Sequence, residues 1–554
     1  MNKRPLVMLA CWMLVSFGSL QGCQSEDVSS SSNTSDSVDS SSDNSSVWDI
    51  DTGAYSTDSI DGLSYQVINI YLDSLDIDNK STLLDLTTSE GISSFSFDGA
   101  TVITVSEDDY GITIDSSLTD DQLGDGILVE YAIYTGSDFT KTLTIYSEGD
   151  FKLSLNGVTI SSTDGPAINI QSSQRAFIEL VDGTQNFLSD TSTWSDRYLT
   201  DGSDMDLKAT FFSEGQLIFS GAGSLDVTAA KKHAICSDDY VRITDGTLYL
   251  TAEKKDGIRA NDAFILDDGE LTITTALGKG IKVEGKEDDT DPIGFIAINN
   301  GTLTIESYDK AITASWEGDE DGDTTTTDDD PDPRVTVNGG TITIVTTGTP
   351  SDDLSPEGIE AKSILTINGG SISVQTTDDA LNAGNSIVIN DGYLYAVSSD
   401  NDAIDSNGTL AINGGVIVAG GATSPEGAFD SDNNTFAITG GIFVGYGGSS
   451  SSPTASATTQ NTLSLSRISS GLLAITDSSG NPVFAFTMPE SATAVLLGTP
   501  NLETGKTYSL YNGGSIGSYS DLYNGLYIDP DSYTLGSRVS NFSISSTVTT
   551  VRDR

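Results

Sequence analysis

The sequence predicts an all-β fold, a right-handed parallel β-helix (a solenoid) followed by a small C-terminal β domain. Three observations predict it. Pairs ending in glycine recur through the middle of the chain, aliphatic residues stand in fixed columns relative to those pairs, and no stretch sustains a helical period.

The pairs are Asp245-Gly246, Asp268-Gly269, Asn300-Gly301, Gly339-Gly340, Gly369-Gly370, Asp391-Gly392, Gly414-Gly415 and Gly440-Gly441. Their shortest intervals are 22 and 23 residues, a period that belongs to stacked coils. Longer intervals hold polar insertions, Lys286 to Asp291 and Gly318 to Asp332. Three residues before each second glycine stands Ile243, Leu266, Ile298, Val337, Ile367, Ile389, Ile412 or Ile438. Two after it stands Leu248, Leu271, Leu303, Ile342, Ile372, Leu394, Ile417 or Phe443. A third column reads Ile235, Ile258, Ile281, Ile312, Ile359, Leu381 and Ile404. Each column is flanked by polar residues at period two, so three short strands per coil turn one face inward. The glycines permit corners of positive φ. The right hand is taken from the general preference of parallel crossovers.

The expected organisation is a signal segment over 1–23, a Ser/Asp-rich linker over 24–60 and an N-terminal β region or cap over 61–142. The helix follows over 143–448, then a Ser/Thr-rich linker over 449–460 and a C-terminal β-rich domain over 461–554. Lys and Arg total 25 against 81 Asp and Glu, a net charge of -56. That charge repels nucleic acid and anionic lipid surfaces and attracts cations. His233 is the sole histidine, which argues against a Ser-His-Asp triad and a typical histidine-ligated zinc site. Past residue 23 only Cys236 remains, so the body has no internal disulfide framework.

Lys3 and Arg4 precede an apolar stretch from Leu6 to Leu20, too short for a comfortable membrane span. Leu20-Gln21-Gly22-Cys23 then resembles a bacterial lipobox, with Gln21 a mild departure. That resemblance implies cleavage before Cys23, lipidation of Cys23 and contact with the membrane through the lipid anchor only. Gln24 is not the aspartate that often retains lipoproteins at the inner membrane, so the expected place is the cell envelope, at the outer membrane and cell surface.

The coils also resemble a known family, bacterial calcium-binding, carbohydrate-binding proteins with a polysaccharide-lyase-like right-handed parallel β-helix. The resemblance rests on Leu153 to Ile160, Gly165-Pro166-Ala167-Ile168, Asp182 to Asn186, the coil Gly339 to Ile344 and the corners Glu357-Gly358-Ile359-Glu360 and Asp378-Asp379-Ala380. The tail, Thr504 to Tyr508 and then Gly513-Gly514, is similar as well. It covers roughly residues 100 to 530 and implies binding of cellulose or polygalacturonate-like chains, without a settled catalytic activity.

Three constellations could carry that function. One acidic column reads Glu357, Asp379 and Asp402, and its neighbour reads Glu360, Asn382, Asp405 and Asp430. Carboxylates about 4.8 Å apart repel unless a cation sits between them. Ca2+, which takes oxygen ligands, is the expected cofactor, on the columns and the resemblance together. A solvated acidic edge is the plainer alternative. Lys254, Lys255, Arg259, Lys279, Lys282 and Lys310 gather at the same corner in earlier coils. Lys279, Lys282 and Lys310 are candidates for the carboxylates of a polyuronate, unless they pair with acids of neighbouring coils. The third constellation is a flat hydroxyl face, Thr302, Thr304, Thr341, Thr343, Ser371 and Ser373, that ends in Tyr393 and Tyr395 as candidates for sugar stacking. β-Propensity alone also accounts for it. Asp319 to Asp323 lacks the downstream glutamate of an EF-hand loop and reads as an acidic loop.

The expected function is calcium-dependent binding of acidic, pectate-like, or cellulosic polysaccharide by a monomer without catalytic residues. Two alternatives stand beside it. One is a polysaccharide lyase with a lysine base and calcium-assisted β-elimination. The other is an adhesin or ice-binding surface, weakened because the Thr rows break at Glu270, Tyr393 and Val416. The anchor is directly testable. Cys23→Ser should release soluble protein in a membrane fractionation, and a variant that stays in the membrane pellet would remove the lipobox reading.

Overall fold

The computed structural model describes residues 48–49, 54–55, 58, 60, 62–199, 202–285, 294–316, 333–351 and 353–551. Cys23 and the lipobox lie outside them. So do the insertions at 286–291 and 318–332, the latter with the acidic run Asp319 to Asp323.

Each aliphatic column becomes one wall of a three-sided coil. Sheet I carries the column from Ile243 to Ile438, on strands such as Val241–Ile243, Ile364–Ile367 and Thr409–Ile412. Sheet II carries Leu248 to Phe443, on strands such as Thr247–Ala252, Ser371–Thr376 and Tyr393–Ser398. Sheet III carries Ile235 to Ile404 and continues to Phe429, on strands such as Ile281–Gly285, Ile359–Ala361 and Ile404–Ser406. Successive coils pair in parallel with like columns in register, as in Ile359 with Leu381 and Leu381 with Ile404. Every residue of the three columns is at most 1% exposed. Burying each such side chain contributes about 1.5–3 kcal/mol before entropy is counted.

The corners obey the same repetition. The second glycine of each pair sits at positive φ, for instance 103° at Gly246 and 82° at Gly301. The residue after each sheet I aliphatic is an asparagine in five coils, and these amides stack. Asn299 donates to Asp267 at 2.8 Å, and Asn338, Asn368, Asn390 and Asn413 each donate to the amide below at 2.8 to 2.9 Å.

Both ends are closed by antiparallel structure, which covers edges that would otherwise template further strands. At the start, Asp85–Ser89, Ile92–Phe97 and Ala100–Glu107 form a meander leading into Gly111–Ser116. That strand already pairs in parallel with Thr142–Ser147. The segment before residue 61, read as linker, reaches the helix: Asp58 is 7% exposed and takes bonds from the Arg242 guanidinium at 2.8 Å and the Tyr240 hydroxyl at 2.7 Å.

At the far end, Ile442–Gly447 pairs antiparallel with Ala492–Gly498, and Thr462–Ile468 and Val548–Val551 extend sheet II further. A six-stranded antiparallel sheet shares an apolar core with them, including Val418, Val444, Leu463, Ile475, Phe484 and Phe486. Residues 449–460, read as linker, are laid along the last coil. The Ser451, Thr454 and Thr459 amides donate to the carbonyls of Phe429, Phe436 and Ile438 at 2.7 to 2.9 Å.

Gly358 tests how tightly the coils fit. It precedes the inward Ile359, and a Cβ there would collide with the Val374 side chain and the Ala380 carbonyl. Gly358→Ala should destabilise the protein by about 1–3 kcal/mol, read as a lower urea midpoint. An unchanged midpoint would show that the coil yields to a methyl group.

Candidate metal centre

The outer face of sheet III displays the charged columns. Directly after each inward aliphatic, the register aligns Arg259, Lys282, Thr313, Glu360, Asn382, Asp405 and Asp430. Two residues before it, backbone bonds link Lys279 to Lys310, Glu357, Asp379 and Asp402 through the intervening Gly280, Ala311, Gly358 and Ala380 amides. All seven acid-column residues and the three lysines therefore share one face. They do not form one set.

The lysines are taken up by acids. Lys279 pairs with Asp309 at 3.0 Å and Lys282 with Glu284 at 2.7 Å, where Arg259 also docks. Lys310 reaches Glu357 at 2.8 Å and Glu360 at 3.1 Å, and Lys362 reaches Glu360 at 2.7 Å. The Thr313 hydroxyl donates to Glu360 at 2.6 Å. Burial alone would raise the Glu360 carboxyl, but Lys310 and Lys362 hold it below its usual range. Burial and the adjacent Glu360 push Glu357 up against the pull of Lys310. Asn382 turns its amide toward Glu357 at 3.3 Å. Glu357, Glu360 and Asn382 thus belong to an ion-paired cluster around a groove of about 380 Å³. Lys310 is itself raised: burial works against its charge, and the two glutamates outweigh burial. That is the opposite of what a general base needs.

The next coils hold acids with no such relief. Among the described residues, Asp379, Asp402, Asp405 and Asp430 form no ion pair. Asp379 is 5% exposed, and burial followed by Asp405 and Glu357 raises it well above the carboxylate range. Burial raises Asp402 to about 7, against a bond from the Gly427 amide and with a push from Asp405. Burial and Asp430 raise Asp405 to about 7. Oxygens of Asp402, Asp405 and Asp430 lie within 4.8 Å of one another. Two oxygens bound to one ion at 2.3–2.6 Å are at most about 5 Å apart, so the triad fits a hard divalent cation. Such an ion removes the repulsion that otherwise demands protons.

The stacking candidates lie on another wall. Tyr393 and Tyr395 project from sheet II. Tyr393 is 42% exposed and meets Tyr523 edge to face, with ring centroids 5.2 Å apart. Tyr395 is half-buried against the core shared with the C-terminal sheet, which covers part of its ring. Lys362, which the column reading missed, was detectable: two residues beyond Glu360, it falls on the same face by strand alternation.

The raised acids set a pH dependence. Unfolded, Asp402 and Asp405 ionise near 3.8; folded and without a cation, they keep protons to about 7. The folded state binds more protons, so stability falls as pH rises from about 4 to about 7. In chelator the melting temperature should drop by about 2–6 °C more between pH 5 and 8 in the wild type than in an Asp402→Asn, Asp405→Asn variant. Identical curves would show both acids to be ordinary surface carboxylates.

Comparison with known proteins places this geometry. The family described as carbohydrate-binding domain-containing protein matches residues 130–403. A carbohydrate-binding domain-containing protein of Acetivibrio thermocellus is 30% identical over 112 residues, 20% of this chain and 38% of that protein. The chain therefore spans well under half the length of this relative. A polysaccharide lyase-like protein from C. thermocellum, solved as a gadolinium derivative, aligns with a TM-score of 0.35 and 20% identity, over 57% of this chain and 96% of that one. The matched residues 130–403 take in the lysine–glutamate cluster, Asp379 and Asp402.

Proposed function

We propose that the protein is a cell-surface lipoprotein, anchored through Cys23, that binds acidic or cellulosic polysaccharide with the help of Ca2+. The observation that carries the metal is the unrelieved column Asp379, Asp402, Asp405 and Asp430. Asp379 and Asp402 are buried, Asp405 and Asp430 are half-buried, and all four are stacked and without a basic partner among the described residues. A hard cation with six to eight oxygen ligands suits such a ladder better than a soft one. Asp402, Asp405 and Asp430 would hold the ion. A calcium ion there, still short of ligands, would accept carboxylate or hydroxyl oxygens from a sugar. The carbohydrate-binding family match over residues 130–403 supports a glycan as the ligand. Binding without cleavage is favoured by the state of the lysines: Lys279, Lys282 and Lys310 are each paired with a carboxylate.

The test uses the soluble Cys23→Ser chain on immobilised polygalacturonate and on cellulose. Retention on at least one is expected, with polygalacturonate retention lost in chelator and restored by calcium but not by sodium of equal ionic strength. Asp402→Asn, Asp405→Asn should remove the calcium response, and no absorbance from unsaturated uronate products should develop. Failure to bind any acidic or β-linked glucan would remove the function and leave the fold.

A further inference from the structure

The chain has few bases, and most of its described lysines meet acids. Among the described residues, the lysines without an ion pair are Lys231, Lys232, Lys254, Lys255 and Lys506, and the last three are exposed. Lys231 and Lys232 are half-buried, side by side, and bonded only to backbone. Lys232 donates to the Leu207 carbonyl at 2.6 Å and Lys231 to the Trp194 carbonyl at 3.4 Å. Both ammonium groups lie close to the Trp194 ring, 5.3 and 5.8 Å from its centroid. Burial and the neighbouring Lys231 lower the Lys232 ammonium below its usual range. Asp206 acts on Lys232 and Asp164 and Asp190 on Lys231 from a distance, but two adjacent half-buried cations without an ion pair remain an expensive arrangement.

They line a cavity of about 420 Å³ with residues 194–198 and 204–208, from the excursion between sheets II and III. Two more donors on its lining residues lack acceptors: the Trp194 indole nitrogen and Nε of Arg197, a side chain only 5% exposed. Arg197 is held by the Asp164 carbonyl and the face of Tyr110, and by no carboxylate among the described residues. The wall has its own acids, but Asp206 is engaged by Lys208 at 3.0 Å. Asp196 and Asp204 form no ion pair with Lys231 or Lys232. Tyr198, 61% exposed, leaves its ring open among these lining residues. Donors and cations in excess, a ring open to an apolar face, and room for a sugar unit together describe a recognisable ligand.

We propose that this cavity binds the carboxylate of an acidic sugar unit, with Lys231 and Lys232 as its counterions and Tyr198 against the sugar ring. The proposal rests on the carbohydrate-binding reading and adds a second subsite that needs no metal. It lies on the same edge as the aspartate triad, six coils earlier in the register, roughly 29 Å at about 4.8 Å per coil. An extended polyuronate along that edge meets ammonium groups at one end and acids that call for a cation at the other.

The test titrates the soluble full chain with trigalacturonate in chelator, with cellotriose as the neutral control. The wild type should bind trigalacturonate, and Lys231→Gln, Lys232→Gln should weaken it by about tenfold or more while leaving cellotriose unchanged. Lys231→Arg, Lys232→Arg should retain most of the affinity. Tyr198→Ala should weaken binding with an unchanged salt dependence, whereas the glutamine pair should flatten that dependence. Melting temperatures near the wild type would show that the variants fold; if the double variant does not, Lys231→Gln alone is read. Equal binding by wild type and glutamine variants overturns the subsite, as does equal loss of both sugars. A wild type that ignores trigalacturonate in chelator yet is retained on polygalacturonate with calcium also overturns it, and leaves the proposed function standing. A wild type that binds no glycan under any condition removes both.

Discussion

Stacking in register is the constraint on which the rest depends. A parallel coil sets each residue above its equivalent in the coil before, about 4.8 Å away. Whatever residue type the repeat favours at a position therefore meets itself. For isoleucine and leucine this gives continuous apolar columns, and for asparagine it gives an amide ladder in which each side chain both donates and accepts. For carboxylates the same rule is costly, because an acid offers its neighbour only repulsion.

The outer face of sheet III shows two responses to that cost. In the coils around Glu357 and Glu360 the column changes sign, and Lys310 and Lys362 sit between the acids. From Asp379 to Asp430 it does not, and at Asp379, Asp402 and Asp405 burial adds to the repulsion. The contrast matters more than the number of acids. An acidic edge tuned only for solubility would leave its carboxylates exposed, where water screens them. These four lie among strands that hold them at close spacing, which stores a demand for positive charge at one place.

What could be read from the sequence followed the repeat, and what could not followed its interruptions. The three columns, the corner glycines and the alignment of Glu360 with Asn382, Asp405 and Asp430 are all visible as periodicity. The pairing of Lys310 with Glu357 is not, because the insertion over 318–332 separates them and hides that their coils adjoin. The burial of Tyr395 depends on an antiparallel sheet whose strands have no fixed spacing to the coils. The Trp194, Lys231 and Lys232 cavity is invisible for a similar reason: an excursion outside the repeat supplies one wall and a corner of the repeat supplies the other. Lys362 is legible by alternation alone, two residues beyond Glu360 on the same face, although it belongs to neither acidic column.

The closed ends complete the argument about use. A solenoid offers an extended polymer faces that repeat about every 4.8 Å. That advantage is also a hazard, because an open coil end or a flat sheet invites a second copy of the chain as readily as a polysaccharide. Here the end of sheet II is carried into antiparallel strands, and the outer face of its last coils is buried under the six-stranded sheet. The open hydroxyl rows of sheet II stop at Tyr393, where Tyr523 closes over them. Among the described residues, sheet III, whose outer columns change from basic to acidic, is not extended by the C-terminal strands. The C-terminal strands therefore cover part of sheet II and leave the charged edge of sheet III, whose chemistry varies along its length. A polymer held there as proposed would be read by position, with its anionic groups drawn to ammonium in the early coils and to a bound cation in the late ones.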